Sequence, residues 1–276
     1  MYKLAVSIAA SCLTLFAHQS AIAGASDWHE VDGAKVRLIS MPGLQPGTIK
    51  AGLQFKLENG WKTYWRSPGG SGIPPQFQFL GSENIASANV SFPVPQFFSE
   101  DNSVGYKSDV TFPIDINLVK ANTPTKINLS AFVGICSEIC VPVQFQLSTV
   151  QETLGGTRAD IARELLAAQN KVPGDATGQQ YVASAVVGND APASLSFAAQ
   201  VPEKAQTVSL FVEAPTNWYI EQPKLAHRSD TESKFQLTLN NIPKDAKIEG
   251  TELKVTLIAD GVGTEQNLAI TAAKTP

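Results

Sequence analysis

"TKINLSAFVGICSEICVPVQFQLSTV" occupies residues 125–150 and holds two of the chain's three cysteines. Its flanks, "TKINLSAFV" and "VPVQFQLSTV", alternate apolar and polar residues at strand length. Between them, Cys136 and Cys140 stand four positions apart. On an extended strand that separation spans about 13 Å. A disulfide needs Cα atoms within about 7 Å. For the two to bond, Ser137, Glu138 and Ile139 must turn. The stretch therefore reads as two neighbouring strands closed by a tight tip, with Gly134 placed to help the chain leave the first strand.

The same reading extends outward. "AKVRLIS", "TIKAGLQFKLE", "QFQFL" and "DVTFPIDINL" are further strand-length runs before the hairpin. Turn signals such as "ENG", "SPGGSG" and "PGLQPG" separate them. Many short strands at this spacing predict a β-sandwich. One helix interrupts. "TRADIARELLAAQNKV" starts at Thr157 with Asp160 three residues on, and Ile161, Leu165 and Ala168 recur at helical spacing. A second series follows, from "YVASAVVG" through "TVSLFVE" and "ELKVTLIA" to "EQNLAIT". The expected fold is all-β: two immunoglobulin-like sandwich modules joined by a connector with one short helix. The expected boundaries are 24–150, a connector at 151–180 and a second module at 181–276. Asn59-Gly60-Trp61 and Asn217-Trp218-Tyr219 occupy similar places, an echo consistent with two related modules.

Residues 1–23 read as a targeting segment. Lys3 is followed by an apolar run from Leu4 to Phe16 and by Ala21-Ile22-Ala23, a small-x-small cleavage site. The apolar run is too short to span a bilayer. Ala9-Ala10-Ser11 before Cys12 is a poor lipoprotein box, so Cys12 is expected to leave with the leader. The mature protein is then expected to be soluble and outside the cytoplasm, with Cys136 and Cys140 as its only cysteines. In an oxidising compartment such a pair reads as a disulfide. The 276 residues carry a net charge of −4 and no basic stripe, which argues against a nucleic-acid partner.

The pair has three readings. A bridge closing about five residues restricts the unfolded chain by roughly 2 kcal/mol, against nearly 5 for a hundred-residue loop. As a staple it is poorly placed, which favours thiol chemistry. Metal binding needs further ligands, and nothing in the spacing of His29 and His227 draws them to the pair. No phosphate loop, H-E-x-x-H or G-x-S-x-G stands elsewhere in the sequence. Trp61, Tyr64 and Trp65 read mainly as packing residues, with sugar stacking as the sharper alternative. Phe97, Phe98 and Tyr106 flank the polar run Ser99 to Ser103 in a loop-like segment. Such an aromatic lid would shield a reactive disulfide from stray thiols.

Taken together, "GWKTYWRSPGGSGIPPQF" (60–77), "FPVPQFFSEDNSVGYKSDVTFPI" (92–114) and "GICSEICVPVQFQL" (134–147) resemble the amino-terminal periplasmic domain of DsbD and ScsB-type thiol:disulfide interchange proteins. The likeness runs from Trp28 to about Val150, and the second module resembles the extension of the ScsB-type branch. The resemblance implies a periplasmic relay with thiol:disulfide interchange, or protein-disulfide reductase, activity through Cys136 and Cys140. It implies Cys140 as the attacking thiol, Cys136 as the resolving one, and a cap loop around Phe97, Phe98 and Tyr106. The implied partners are a membrane-embedded thiol reductase as donor and thioredoxin-fold periplasmic proteins as acceptors. No bound cofactor or metal is expected. C-x3-C is tighter than the family's usual spacing. Full-length members continue into membrane and thioredoxin-like domains, and this chain ends at Pro276 with neither, so a stand-alone form is expected. The competing class is a binding or structural module whose bridge is only a local staple.

Overall fold

The computed structural model describes residues 24–152, 158–176, 178–188 and 192–273. The expected leader, with Cys12, and the expected cap Thr157 lie outside the described residues.

The first module contains β1 (His29–Val31), β2 (Ala34–Pro42), β3 (Thr48–Leu57), β4 (Lys62–Tyr64), β5 (Gln76–Gln78) and β6 (Ile85–Val90). It continues with β7 (Gln96–Phe98), β8 (Ser103–Tyr106), β9 (Val110–Leu118), β10 (Thr125–Cys136) and β11 (Cys140–Gln151). One sheet has the order β1-β2-β3-β9-β6. The other runs β11-β10-β4-β8-β7, with β5 also paired to β10. Alternation decides which side chains meet between them. Ile127, Leu129, Ala131, Val133 and Ile135 of β10 all point inward, onto Leu53, Phe55 and Phe112 of the facing sheet. Phe55 and Phe112 meet edge to face at 5.5 Å.

Helix α1 (Ala159–Gln169) begins at Arg158, whose side chain makes no cap and instead pairs with Asp160. Ile161, Leu165 and Ala168 are its buried residues. Ile161 and Leu165 cluster with Ala25 and Ile39 on the outer side of the first sheet. A Cβ at Gly52 would lie 2.7 Å from Leu165 Cδ2, so this mid-strand glycine is the seat of the helix.

The second module contains β12 (Gly174–Asp175), β13 (Tyr181–Val187), β14 (Ser194–Gln200), β15 (Val208–Glu213), β16 (Lys224–Arg228), β17 (Glu232–Thr238), β18 (Glu252–Ala259) and β19 (Val262–Ala272). The strands follow one hydrogen-bonded path, β15-β18-β19-β13-β14-β17-β16, with β12 beside β19. Both halves of that path contribute to one core: Phe197 and Phe235 from one, Leu210, Val212 and Val255 from the other. The chain is thus mostly β, with sandwich modules and one described helix, as the patterning predicts. β15 and β18 bury both faces. Leu210 and Val212 face their own core, while Phe211 and Ile258 join the core of the first module. This is why "SLFV" and "TLIA" read as continuous apolar runs rather than alternating ones.

Candidate functional site

β10 and β11 stay in register from Thr125↔Gln151 to Cys136↔Cys140. The cysteines therefore face each other across the last rung, bonded, with Cα atoms 4.1 Å apart. Ser137, Glu138 and Ile139 make the turn, closed by Ser137 N–H donating to Ile139 O at 3.3 Å. The two sulfurs are not equivalent to an incoming group. Cys136 is 0% exposed, whereas Cys140 is exposed, as are all three turn residues.

Gly134 does not carry the chain out of the strand. It remains in β10, opposite Pro142. A Cβ there would lie 2.8 Å from ring carbons of Tyr64, so the glycine makes room for that ring. Tyr64 ends β4, the three-residue strand that pairs Lys62 with Cys136. Alternation puts Lys62 and Tyr64 on the face that carries the disulfide. Tyr64 Oη lies 2.9 Å from each sulfur. Disulfide sulfurs carry no proton, so the phenol is the donor, its one proton shared between them. Burial, reinforced by the charge of Asp101, pushes the Tyr64 pKa up to about 12. The group is a neutral donor throughout the neutral range.

Beside Tyr64, Lys62 is 6% exposed and forms an ion pair with Asp101. It also donates to Ser103 Oγ at 3.2 Å, and Ser103 donates to Asp101 Oδ1 at 2.7 Å. Burial works against the charge on Asp101, but the hydrogen bonds from Lys62 and Ser103 outweigh it and hold the carboxyl below its usual range. Asp101 belongs to the turn between β7 and β8, so this triad ties that turn to the strand beside the disulfide.

The β7–β8 hairpin is the segment predicted to cap the pair. Its register, Phe97↔Val104 and Phe98↔Ser103, splits the aromatic residues between two faces. Phe98 shares the face of Ser103, Lys62 and Tyr64. It is 4% exposed, with Lys62 Nζ 5.0 Å and Lys107 Nζ 4.4 Å from its ring centre. Phe97 points the other way, half-exposed, into a groove of about 780 Å³ that also borders α1 and the second module. Tyr106 lies in the sandwich core, edge-on to Phe112 at 5.4 Å, and donates to Pro93 O at 2.7 Å. Of the three residues expected in the cap, the structure brings only Phe98 to the face of the pair. Phe97 and Tyr106 are turned away from it by the pleat.

Sequence reasoning missed the roles of Tyr64 and Lys62. Tyr64 was read with its tryptophan neighbours as packing, and Trp65 does pack, at 0% exposure. No basic residue stands between Ala131 and Phe145, yet pairing of β4 with β10 supplies one from 74 positions away in sequence (136 − 62). The only local signal is the alternation in "KTY", too short to identify a strand. Among the described residues no cluster of three or more His, Cys, Asp or Glu could hold a metal ion.

Residues 32–152 match the family model described as thiol:disulfide interchange protein DsbD, N-terminal. The match takes in both cysteines, Tyr64 and the β7–β8 hairpin. The first module is a DsbD amino-terminal-type domain. The Cys136–Cys140 pair thus sits in a domain of the thiol:disulfide exchange kind. Residues 171–273 match a second model, described as a domain of unknown function, DUF8393. The crystal structure of the N-terminal periplasmic domain of ScsB from Proteus mirabilis is similar over 91% of this chain and 100% of that one, with a TM-score of 0.75 and 22% identity. That likeness is one of fold, and it spans both modules. An endo-fucoidan hydrolase of glycoside hydrolase family 107 aligns with 92% of this chain and 39% of its own, at 11% identity and a TM-score of 0.21. The C-terminal domain of Streptococcus agalactiae BspA aligns with 90% of this chain and 99% of its own, at 8% identity and a TM-score of 0.17. Neither of these two supports an argument. Comparison with curated proteins gave no match. Among the described residues, no helix is long and apolar enough to cross a membrane.

Proposed function

We propose that the protein is a periplasmic thiol:disulfide relay working through Cys136 and Cys140. The observation that carries this reading is the asymmetry of the pair: Cys140 is an exposed residue and Cys136 a fully buried one, with a phenol 2.9 Å from both sulfurs. A thiolate of a reduced donor attacks Cys140 Sγ. The new sulfur–sulfur bond forms there, the Cys136–Cys140 bond breaks, and its electron pair leaves on Cys136. Tyr64 meets the developing thiolate with a hydrogen bond, which strengthens as charge appears. A second donor thiolate then attacks the donor sulfur, releasing Cys140 reduced and leaving the donor as a disulfide. In the forward delivery, Cys140 attacks the disulfide of an oxidised acceptor, and Cys136 resolves the mixed disulfide.

The similarity to DsbD and ScsB domains supports a membrane thiol reductase as donor and thioredoxin-fold proteins as acceptors. It equally supports a periplasmic location, reached by cleavage of residues 1–23. The proposed functional units are 24–150, 151–180 and 181–276, with Phe98 as the aromatic of the cap. The test is a trap. Cys136→Ala accumulates mixed disulfides with an oxidised thioredoxin-fold partner, because the resolving thiol is gone, while Cys140→Ala traps far less. Trapping by neither variant sinks the relay. A reduction potential below about −300 mV would instead mark the bridge as a structural staple.

A further inference from the structure

Tyr64, Trp65 and Arg66 are consecutive, and together they cross from the disulfide to the second module. Tyr64 Oη lies 2.9 Å from both sulfurs and shares its one proton between them. Trp65 is fully buried, its ring 5.7 Å from that of Phe211 on β15. Arg66 donates through Nε to both carboxylate oxygens of Glu213, at 2.9 Å each. Its Nη2 reaches Glu213 Oε1 at 2.6 Å and also Glu265 on β19. The guanidinium stacks over Trp65, 4.5 Å from the ring centre. Glu265 is fixed in turn by Lys254 Nζ at 2.7 Å and by Thr256 Oγ1 at 3.2 Å.

The strand that carries Tyr64 has only a short ladder of its own. β4 has three residues, with only two register pairs to β10 and two to β8. Its phenol lies 2.9 Å from each of two sulfurs, so where β4 ends decides whether one hydroxyl reaches both. Arg66 lies two residues beyond Tyr64. Planar peptides leave little slack over that distance, so holding the guanidinium also holds the end of β4. A bidentate fork on Glu213 fixes orientation as well as position. Phe211, Glu213, Thr256 and Glu265 share the face of the second module that meets the first, because alternation on β15 and the rung Thr256↔Glu265 place them there.

We propose that the second module clamps the redox site: Glu213 and Glu265 hold Arg66, and Arg66 is a positioning residue that keeps Tyr64 on Cys136 and Cys140. This rests on the reading of Tyr64 as the donor to the leaving thiolate. It gives the second module a role in exchange without its touching either sulfur.

The experiment is a double-mutant cycle on the full mature chain, read as the rate at which a small thiol, glutathione, opens the disulfide. Arg66→Met slows opening about fivefold in the parent protein. In a Tyr64→Phe background it changes the rate by less than about 1.5-fold, since the hydroxyl it positions is gone. Arg66→Lys, which keeps the charge but not the fork, falls between. Should Arg66→Met fail to fold, Glu213→Gln, with Glu265 still in place, enters the same cycle. A substitution that merely loosened the interface would alter the rate equally in both backgrounds, and that result overturns the clamp. An unchanged rate on the parent background overturns it too. If Tyr64→Phe alone opens at the parental rate, the donor reading falls and the clamp with it. If Tyr64→Phe slows opening while the Arg66 effect is absent or additive, only the clamp falls.

Discussion

Replacing Tyr64 with Phe removes one oxygen from the centre of the site and little else. The ring is 1% exposed and seated over Gly134, and Phe fills the same seat. What is lost is a donor lying 2.9 Å from both sulfurs. Toward a neutral disulfide such a bond contributes about 0.5–1.5 kcal/mol net; toward a thiolate it is charge-assisted and contributes about 1.5–3 kcal/mol. Only the difference, about 1–2 kcal/mol, acts on the barrier to bond cleavage. At about 1.4 kcal/mol per factor of ten, opening by a thiol slows by roughly 5- to 30-fold. Stability should change by less than about 1.5 kcal/mol, because the sulfurs left behind are weak acceptors. The assay is stopped-flow reduction with excess dithiothreitol at fixed pH, paired with urea unfolding of the oxidised protein. Opening at the parental rate, with stability intact, would refute the argument that the phenol receives the leaving charge. A loss of several kcal/mol in stability would show that the hydroxyl is a structural element instead.

Other outcomes follow from the same geometry. Cys136→Ala/Cys140→Ala should stay folded and lose about 2 kcal/mol or less, because the loop it opens is short; a double variant that cannot fold in thermal unfolding makes the bridge a staple. Phe98→Ala should speed attack by glutathione while Phe97→Ala leaves it unchanged, since the pleat turns Phe97 away; equal acceleration by both contradicts that placement. The raised Tyr64 pKa gives a sign for pH: the neutral phenol's contribution is complete below about 10, its ordinary value, and is lost only as pH rises through about 12. Opening rates of the parent and of Tyr64→Phe should therefore run parallel from pH 6 to about 9.5, and a step in the parental profile alone within that window, measured by the same stopped-flow reduction, would show the phenol ionising early.

The sequence by itself determined a good deal of this protein. Period-two alternation within "TKINLSAFV" and "VPVQFQLSTV" decides which side chains of β10 and β11 enter the core, and it needs no partner to be read. The spacing of Cys136 and Cys140 requires a turn at Ser137–Ile139 if the two are bonded, because disulfide geometry permits nothing else. The apolar stripe of Ile161, Leu165 and Ala168 marks the helix for the same local reason. What surrounds the pair is not local. Tyr64 and Lys62 come to the sulfurs through β4, whose three residues carry too little pattern to be recognised and whose place is fixed by pairing with strands far along the chain. The facing of Phe97, Phe98 and Tyr106 follows from alternation once β7 and β8 are known to pair, but a segment rich in Ser, Asp and Asn looks like loop until its partner is in place. The unequal exposure of two cysteines on one turn, and the reach of Arg66 to Glu213 and Glu265, arise where separate sheets and separate modules come together. Contacts of that kind depend on which surfaces close on each other, a property of the whole chain, and tertiary structure alone decides them.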